Sequence, residues 1–447
     1  MQLADCSPPA NPTVEEQRDA LTKGLGRAFQ WARAGTLDQQ ILLEACLNNL
    51  VFDFQVDESR GGWLWQLINE RGAFEAFRNP LLQALNSLSD FRDASQLCEI
   101  AVEYALTGDT DFRNVLRRIA IRQPLGEESL EDAEKAVMEF DGIEGFLKLA
   151  AEYGKRMKHR DWEWQASRLM DRAEERFGKE VVKAAISRSR HSDIVRLRRK
   201  WYRQYRASSK SQVRRNRTDE QAGADDLIAQ LKTNGRGRIS QWRWAREASE
   251  EELRKVAQAT LAEKDRKVLA RLLQVFVNRD WPEDVDRLVE FCRHENEYVS
   301  NAAWLAANRL SHPAVRALAI EGAKAGFPDP KAIGAFAANY VEGDEDLILE
   351  AIVLSEFETI NHVLFLEALD VLKLNATSDL FRLALAAYRY TPCSLCRSDA
   401  VDGLVVCNLA PEWLLEECRD DANGICRRAV EPESDGDSPD PASESPT

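Results

Sequence analysis

Asn296 to Ala323 reads NEYVSNAAWLAANRLSHPAVRALAIEGA. Asn296 is a polar lead of the kind that starts a helix. Val299 follows, then the polar pair Ser300 and Asn301, then the small pair Ala302 and Ala303. Small residues at that point let two helices approach closely, while the Leu residues downstream face a neighbour. After Leu310 the chain reaches His312, and Pro313 stands where a first helical residue should. The stretch therefore predicts two consecutive helices, the second being the partner of the first.

Two later strings share this layout. TPCSLCRSDAVDGLVV begins at Thr391 and carries Ala400-Val401 in place of Ala302-Ala303; ANGICRRAV begins at Ala422 and carries Ala429-Val430. The first two small pairs lie 98 residues apart, close to three units of about 33, and the last two lie 29 apart. Elsewhere the period is also helical. TVEEQRDALTKGLGRAFQWARAG, Thr13 to Gly35, opens on a cap-like Thr with Glu16 three residues on, and sets Leu21, Leu25, Phe29 and Ala32 on one stripe before ending at a glycine. No alternating run is bounded by hairpin turns, so strands are not expected. With 30% charged residues, 15 Pro and 22 Gly in 447 residues, the composition suits helices and not a sandwich or barrel. The expected fold is all-α: paired antiparallel helices stacked along the chain as an α-solenoid.

On these residues the chain resembles HEAT-repeat proteins. The likeness is clearest from about Glu250 to Val430, where it is similar to the array of an uncharacterised bacterial HEAT-repeat group. The resemblance implies a curved stack whose inner face holds a protein or a nucleic acid. It implies no particular activity.

Charge divides the chain. Residues 183–217 contain 13 Lys or Arg against one acid, Asp193, in a protein of formal charge −15. The expected organisation is a flexible N-terminus (1–12), a divergent helical domain (13–182), a basic segment (183–245), HEAT-like repeats (246–430) and an acidic disordered tail (431–447). On a helix Arg196, Arg199, Arg203 and Arg206 share one side with Lys200 beside them, a stripe able to follow phosphates. Arg214, Arg215, Arg217 and Arg238 extend the positive region, and Trp242, Arg243 and Trp244 would add aromatic anchors. Against this, Ile194, Leu197, Trp201 and Tyr205 are spaced 3, 4, 4 as a buried stripe would be. The alternative is that the arginines pair with acids of the fold or of a partner.

Other motifs read as structural. Cys393, Cys396, Ala400, Leu404 and Cys407 fall on one apolar helical stripe, after Thr391 as N-cap and Pro392 as first helical residue. A C-x2-C pair without a second knuckle does not make a zinc site. His294-Glu295 is a lone His-Glu pair, and neither H-E-x-x-H nor a Walker A loop occurs. Phe52 to Arg60 (FDFQVDESR) and Lys232 to Arg238 (KTNGRGR) read as solvated loops. In each W-x-W pair, at 63/65, 162/164 and 242/244, one ring is expected inside and the other outward. No apolar run is long enough to span a membrane, no signal segment is visible, and nine Cys suggest free thiols in a reducing cytoplasm. The sequence thus points to a non-enzymatic cytoplasmic scaffold or adaptor without cofactor, its partner a protein. The competing expectation is a nucleic-acid binder acting through 194–217 and Trp242/Trp244, on the pattern of HEAT-like DNA glycosylases.

Overall fold

A computed structural model describes residues 7–52, 60–123, 130–156, 162–201, 222–233, 239–327, 329–354, 362–375, 377 and 380–431. Among these residues all regular secondary structure is helical, and there is no strand. The chain is all-α.

Local chemistry sets many of the helix starts. Thr13 and Glu16 form a reciprocal capping box: Glu16 N donates to Thr13 Oγ1 at 3.2 Å, and Thr13 N donates to Glu16 Oε2 at 2.8 Å. Ser249 and Glu252 repeat it at the helix Glu250–Ala262. Asp38, Asp90, Asp109 and Asp265 each accept two amides at the start of their helices. Pro313 is the first residue of the helix Pro313–Lys324, with His312 as its cap.

Two starts and stops differ from the sequence reading. Thr13 to Gly35 is not one helix. It breaks at Gly24, whose φ of 74° is left-handed, into Val14–Lys23 and Arg27–Ala34. The stripe Leu21, Leu25, Phe29 and Ala32 is still buried, because both pieces face the same core. Likewise Thr391 and Pro392 do not open their helix, which runs Ser394–Val406 with Cys393 as N-cap. The Thr391 hydroxyl instead accepts the Cys393 amide at 3.1 Å, and this turn delays the helix.

The helices run in two files. In one, Arg266–Leu273, Glu297–Ala307, Lys331–Gly334, His362–Asn375, Ser394–Val406 and Gly424–Val430 each contact the next. In the other, Val285–Cys292, Pro313–Lys324, Asp344–Leu354 and Phe381–Tyr390 do the same, and several neighbours in sequence also touch between files. The three strings matched in the sequence fall in the first file. Glu297–Ala307 and Ser394–Val406 are three steps apart and Gly424–Val430 one step further, as the 98- and 29-residue intervals require. Ala302, Ala303, Ala400 and Val401 are all buried. The first half follows the same rule: Val14–Lys23, Gln39–Leu47, Phe74–Asn86 and Thr110–Arg122 form one succession, and Arg27–Ala34, Gly61–Glu70, Phe91–Leu106 and Glu131–Arg156 the other.

Candidate functional site

The basic segment begins as part of the first half. Residues 192–201 are helical, with Ile194 and Leu197 buried and Trp201 against the core. Arg196 donates to the Gly154 carbonyl at 2.9 Å and to Asp193 at 2.5 Å. Gly154 is required there: a Cβ would lie 1.9 Å from the Asp193 carbonyl oxygen. Arg199 is exposed and Lys200 half-buried. Arg203, Arg206, Arg214, Arg215, Arg217 and Arg238 lie outside the described residues, as does the tail from 432. Trp242, Arg243 and Trp244 belong to a different place, the helix Gln241–Glu247, which packs on the 3-10 turn Gln274–Asn278. Trp244 is buried and its indole donates to the Ala222 carbonyl at 2.8 Å, so its ring serves the fold; Trp242 is 63% exposed, with Arg243 exposed beside it.

A second concentration of charge joins the first helices to the last. The break at Gly24 makes it possible: Cβ atoms at Gly24 and Gly26 would stand 2.6 Å from Ala422 Cβ and 1.9 Å from the Glu417 carbonyl oxygen. Ala422 N donates to Gly24 O at 2.8 Å, and the Trp63 indole donates to Asp420 O at 2.8 Å. Arg27 grips the fully buried Glu417 with two bonds of 2.8 Å, and the Tyr388 hydroxyl donates to the same carboxylate at 3.0 Å. Arg397 and Asp421, both fully buried, pair at 3.4 Å. Burial pushes the Asp421 carboxyl up to about 6, against the opposing pull of Arg397 and of the Asn423 amide. Burial also lowers the Lys23 ammonium, which donates to Asp19 and to the Arg389 carbonyl. A cleft of about 120 Å³ remains at this seam, lined by Glu16, Asp19, Arg27, Tyr388 and Arg389. Its main polar groups already serve the seam, Arg27 and Tyr388 through Glu417 and Glu16 through its cap.

The third concentration is open. It lies on the adjacent helices His362–Asn375 and Ser394–Val406, which approach closely at Gly403, where a Cβ would meet Leu372 at 2.9 Å. Asp370 and Leu374 project from one helix, Asp399, Asp402 and Val406 from the other. Leu374 is 69% and Val406 76% exposed. Lys373 stands among the acids, 2.9 Å from Asp399 and 3.8 Å from Asp370. Glu367, one turn before Asp370, is pushed up to about 7 by burial and then by Asp370. Asp370 is also raised, by burial first and by Asp399. Val341 and Glu342, both exposed, follow the preceding helix of the file, which Asn375 tethers by donating to the Ala337 carbonyl at 2.9 Å. This face escaped the sequence reading, although a signal existed. Glu367, Asp370 and Leu374 recur as Asp399, Asp402 and Val406, each 32 residues later.

Cys393, Cys396, Cys418 and Cys426 are buried free thiols. Burial dominates for Cys418 and Cys426, while the hydrogen bond with Cys393 leads burial in pushing the Cys396 thiol up. His294 accepts the Asn296 amide through Nδ1, a turn contact. Among the described residues no group of three His, Cys, Asp or Glu is placed to hold a metal ion, and no helix is long and apolar enough to cross a membrane. No protein-family model matches the sequence, and comparison with curated proteins and with solved structures gave no match.

Proposed function

We propose that the protein is a non-enzymatic scaffold, an α-solenoid of antiparallel helix pairs with HEAT-like repeats in its C-terminal part, that holds a protein partner on an exposed face. The observation that carries this reading is the pairing of Leu374 and Val406, two largely exposed aliphatic side chains on adjacent helices with acids around them. Isolated exposed apolar residues need no explanation, but repeated ones at matching positions of one file mark an interaction surface. The two files of helices support the solenoid, since within each file every helix touches the next, and a seam joins the first helices to the last. The buried charges elsewhere are accounted for by partners within the fold.

Lys373 supplies the test. An amine-reactive crosslinker added to the full chain in extract of its source cell should capture a partner at Lys373. The same experiment on Leu374→Ser/Val406→Ser should lose that crosslink while circular dichroism is unchanged. Absence of any crosslink at Lys373 in the unmodified chain would remove the basis of the reading.

A second reading, nucleic-acid binding, is favoured by one observation: Trp242 and Arg243 both stand exposed on the helix Gln241–Glu247. It requires retention on single-stranded DNA or RNA that weakens steeply from about 50 to 200 mM salt. It also requires that Trp242→Ala reduce that retention.

A further inference from the structure

We infer that the partner segment held on the face of His362–Asn375 and Ser394–Val406 is a basic amphipathic helix. This rests on the scaffold reading and adds the chemistry of the occupant. The face repeats one pattern on two neighbouring helices, acids at the first and second positions and an aliphatic residue at the last: Asp370 before Leu374, and Asp399 and Asp402 before Val406. Lys373 is the base set among three aspartates, so the face is net negative. The same charge opposes phosphate backbones, anionic lipid and acidic peptides.

Leu374 and Val406 stand exposed near the ends of two contacting helices, and a third helix can cover such a pair through anchors spaced i, i+3, i+7. Lysine or arginine on the flanks of that helix would reach Asp370, Asp399 and Asp402, while its aliphatic stripe covers Leu374 and Val406. Burial raises the Glu367 and Asp370 carboxyls first, and neighbouring acids add to it, Asp370 and Asp329 beside Glu367 and Asp399 beside Asp370, while Lys331 and Lys373 oppose it.

The test uses the full chain and two fluorescent amphipathic peptides of about 18 residues, long enough for a helix to form on binding. One is built of leucine and lysine, the other of leucine and glutamate. The leucine-lysine peptide should bind, more weakly at 200 than at about 50 mM salt. Binding should fall at least about 10-fold in Leu374→Ser/Val406→Ser and in Asp370→Asn/Asp399→Asn/Asp402→Asn. It should be unchanged in a control that neutralises exposed acids elsewhere, Glu180→Gln/Glu251→Gln/Asp280→Asn. No binding of the leucine-lysine peptide, equal loss in the control, or preference for the leucine-glutamate peptide each overturns the inference. If the peptide fails while the Lys373 crosslink persists, the occupant has another chemistry and the scaffold reading stands. If both fail, both fall.

Discussion

The seam between the first and last helices and the face of His362–Asn375 and Ser394–Val406 are built from the same residue types and treat them in opposite ways. At the seam Glu417 is wholly buried, but it receives two bonds from Arg27 and one from Tyr388. Asp421 is buried against Arg397. On the face Asp370 and Asp399 stay partly in water with Lys373 between them, and Leu374 and Val406 stay exposed although a buried place would favour them. Buried charge set against an opposite charge favours one geometry, because separating the pair would leave a charge buried and uncompensated. Exposed charge beside exposed aliphatic surface fixes nothing within the chain, and is what an interaction surface needs.

The contrast can be broken most sharply at Glu417. Replacing it with Ala leaves the half-buried Arg27 and the buried Tyr388 hydroxyl without their carboxylate, and is expected to destabilise by about 3–5 kcal/mol in urea denaturation. A loss below about 1 kcal/mol would show that the seam is not a paired, closed contact. Gly26→Ala attacks the same contact through space alone. Its Cβ would stand 1.9 Å from the Glu417 carbonyl oxygen, and the expected loss is about 1–3 kcal/mol.

Glu367 tests the edge between the two regimes by pH. Its carboxyl is held at about 7, above the ordinary value near 4.5, so the folded chain binds a proton that the unfolded chain has released. That contribution to stability is complete below about 4.5 and is lost as pH rises through about 7. Glu367→Gln is locked in the neutral form. Its stability relative to the parent chain should therefore rise by about 1–3 kcal/mol between pH 5 and pH 8, measured by denaturation at each pH. A difference that stays flat would mean that the fold does not hold the Glu367 carboxyl above its ordinary value.

The smallest expected effect on stability belongs to the face itself. Leu374→Ser/Val406→Ser should change unfolding free energy by no more than about 0.5 kcal/mol per site, since neither side chain is buried. The same variant should lose the crosslink at Lys373. A large destabilisation would instead make these residues part of the core.

Much of the fold was legible because helix period and capping are local. Thr13 with Glu16, His312 with Pro313, and the buried Ala302-Ala303 and Ala400-Val401 pairs all follow from neighbours within a turn or two. The 98-residue interval was legible because each unit repeats nearly the same length. The break at Gly24 was not read, although two glycines in KGLGR allowed it. A glycine permits a left-handed residue, and only the arrival of Ala422 and Glu417 requires one. The site was less legible. The basic stripe drew attention by its charge, yet Arg196 turns to Gly154 and Trp244 turns inward. The acidic face carries weaker local charge and is visible only when the 32-residue repeat is aligned.

The sequence by itself determined that the chain is helical, where the helices after Thr13, Asn296 and His312 begin, and which residues of many helices are apolar enough to be covered. These depend on hydrogen bonds and side-chain spacing within a few residues. Only the tertiary structure decided that Arg27 meets Glu417 across 390 residues, that Trp242 rather than Trp244 is exposed, and that Leu374 and Val406 stay uncovered together. Burial belongs to the packed assembly, and no residue's own chemistry states what will lie against it.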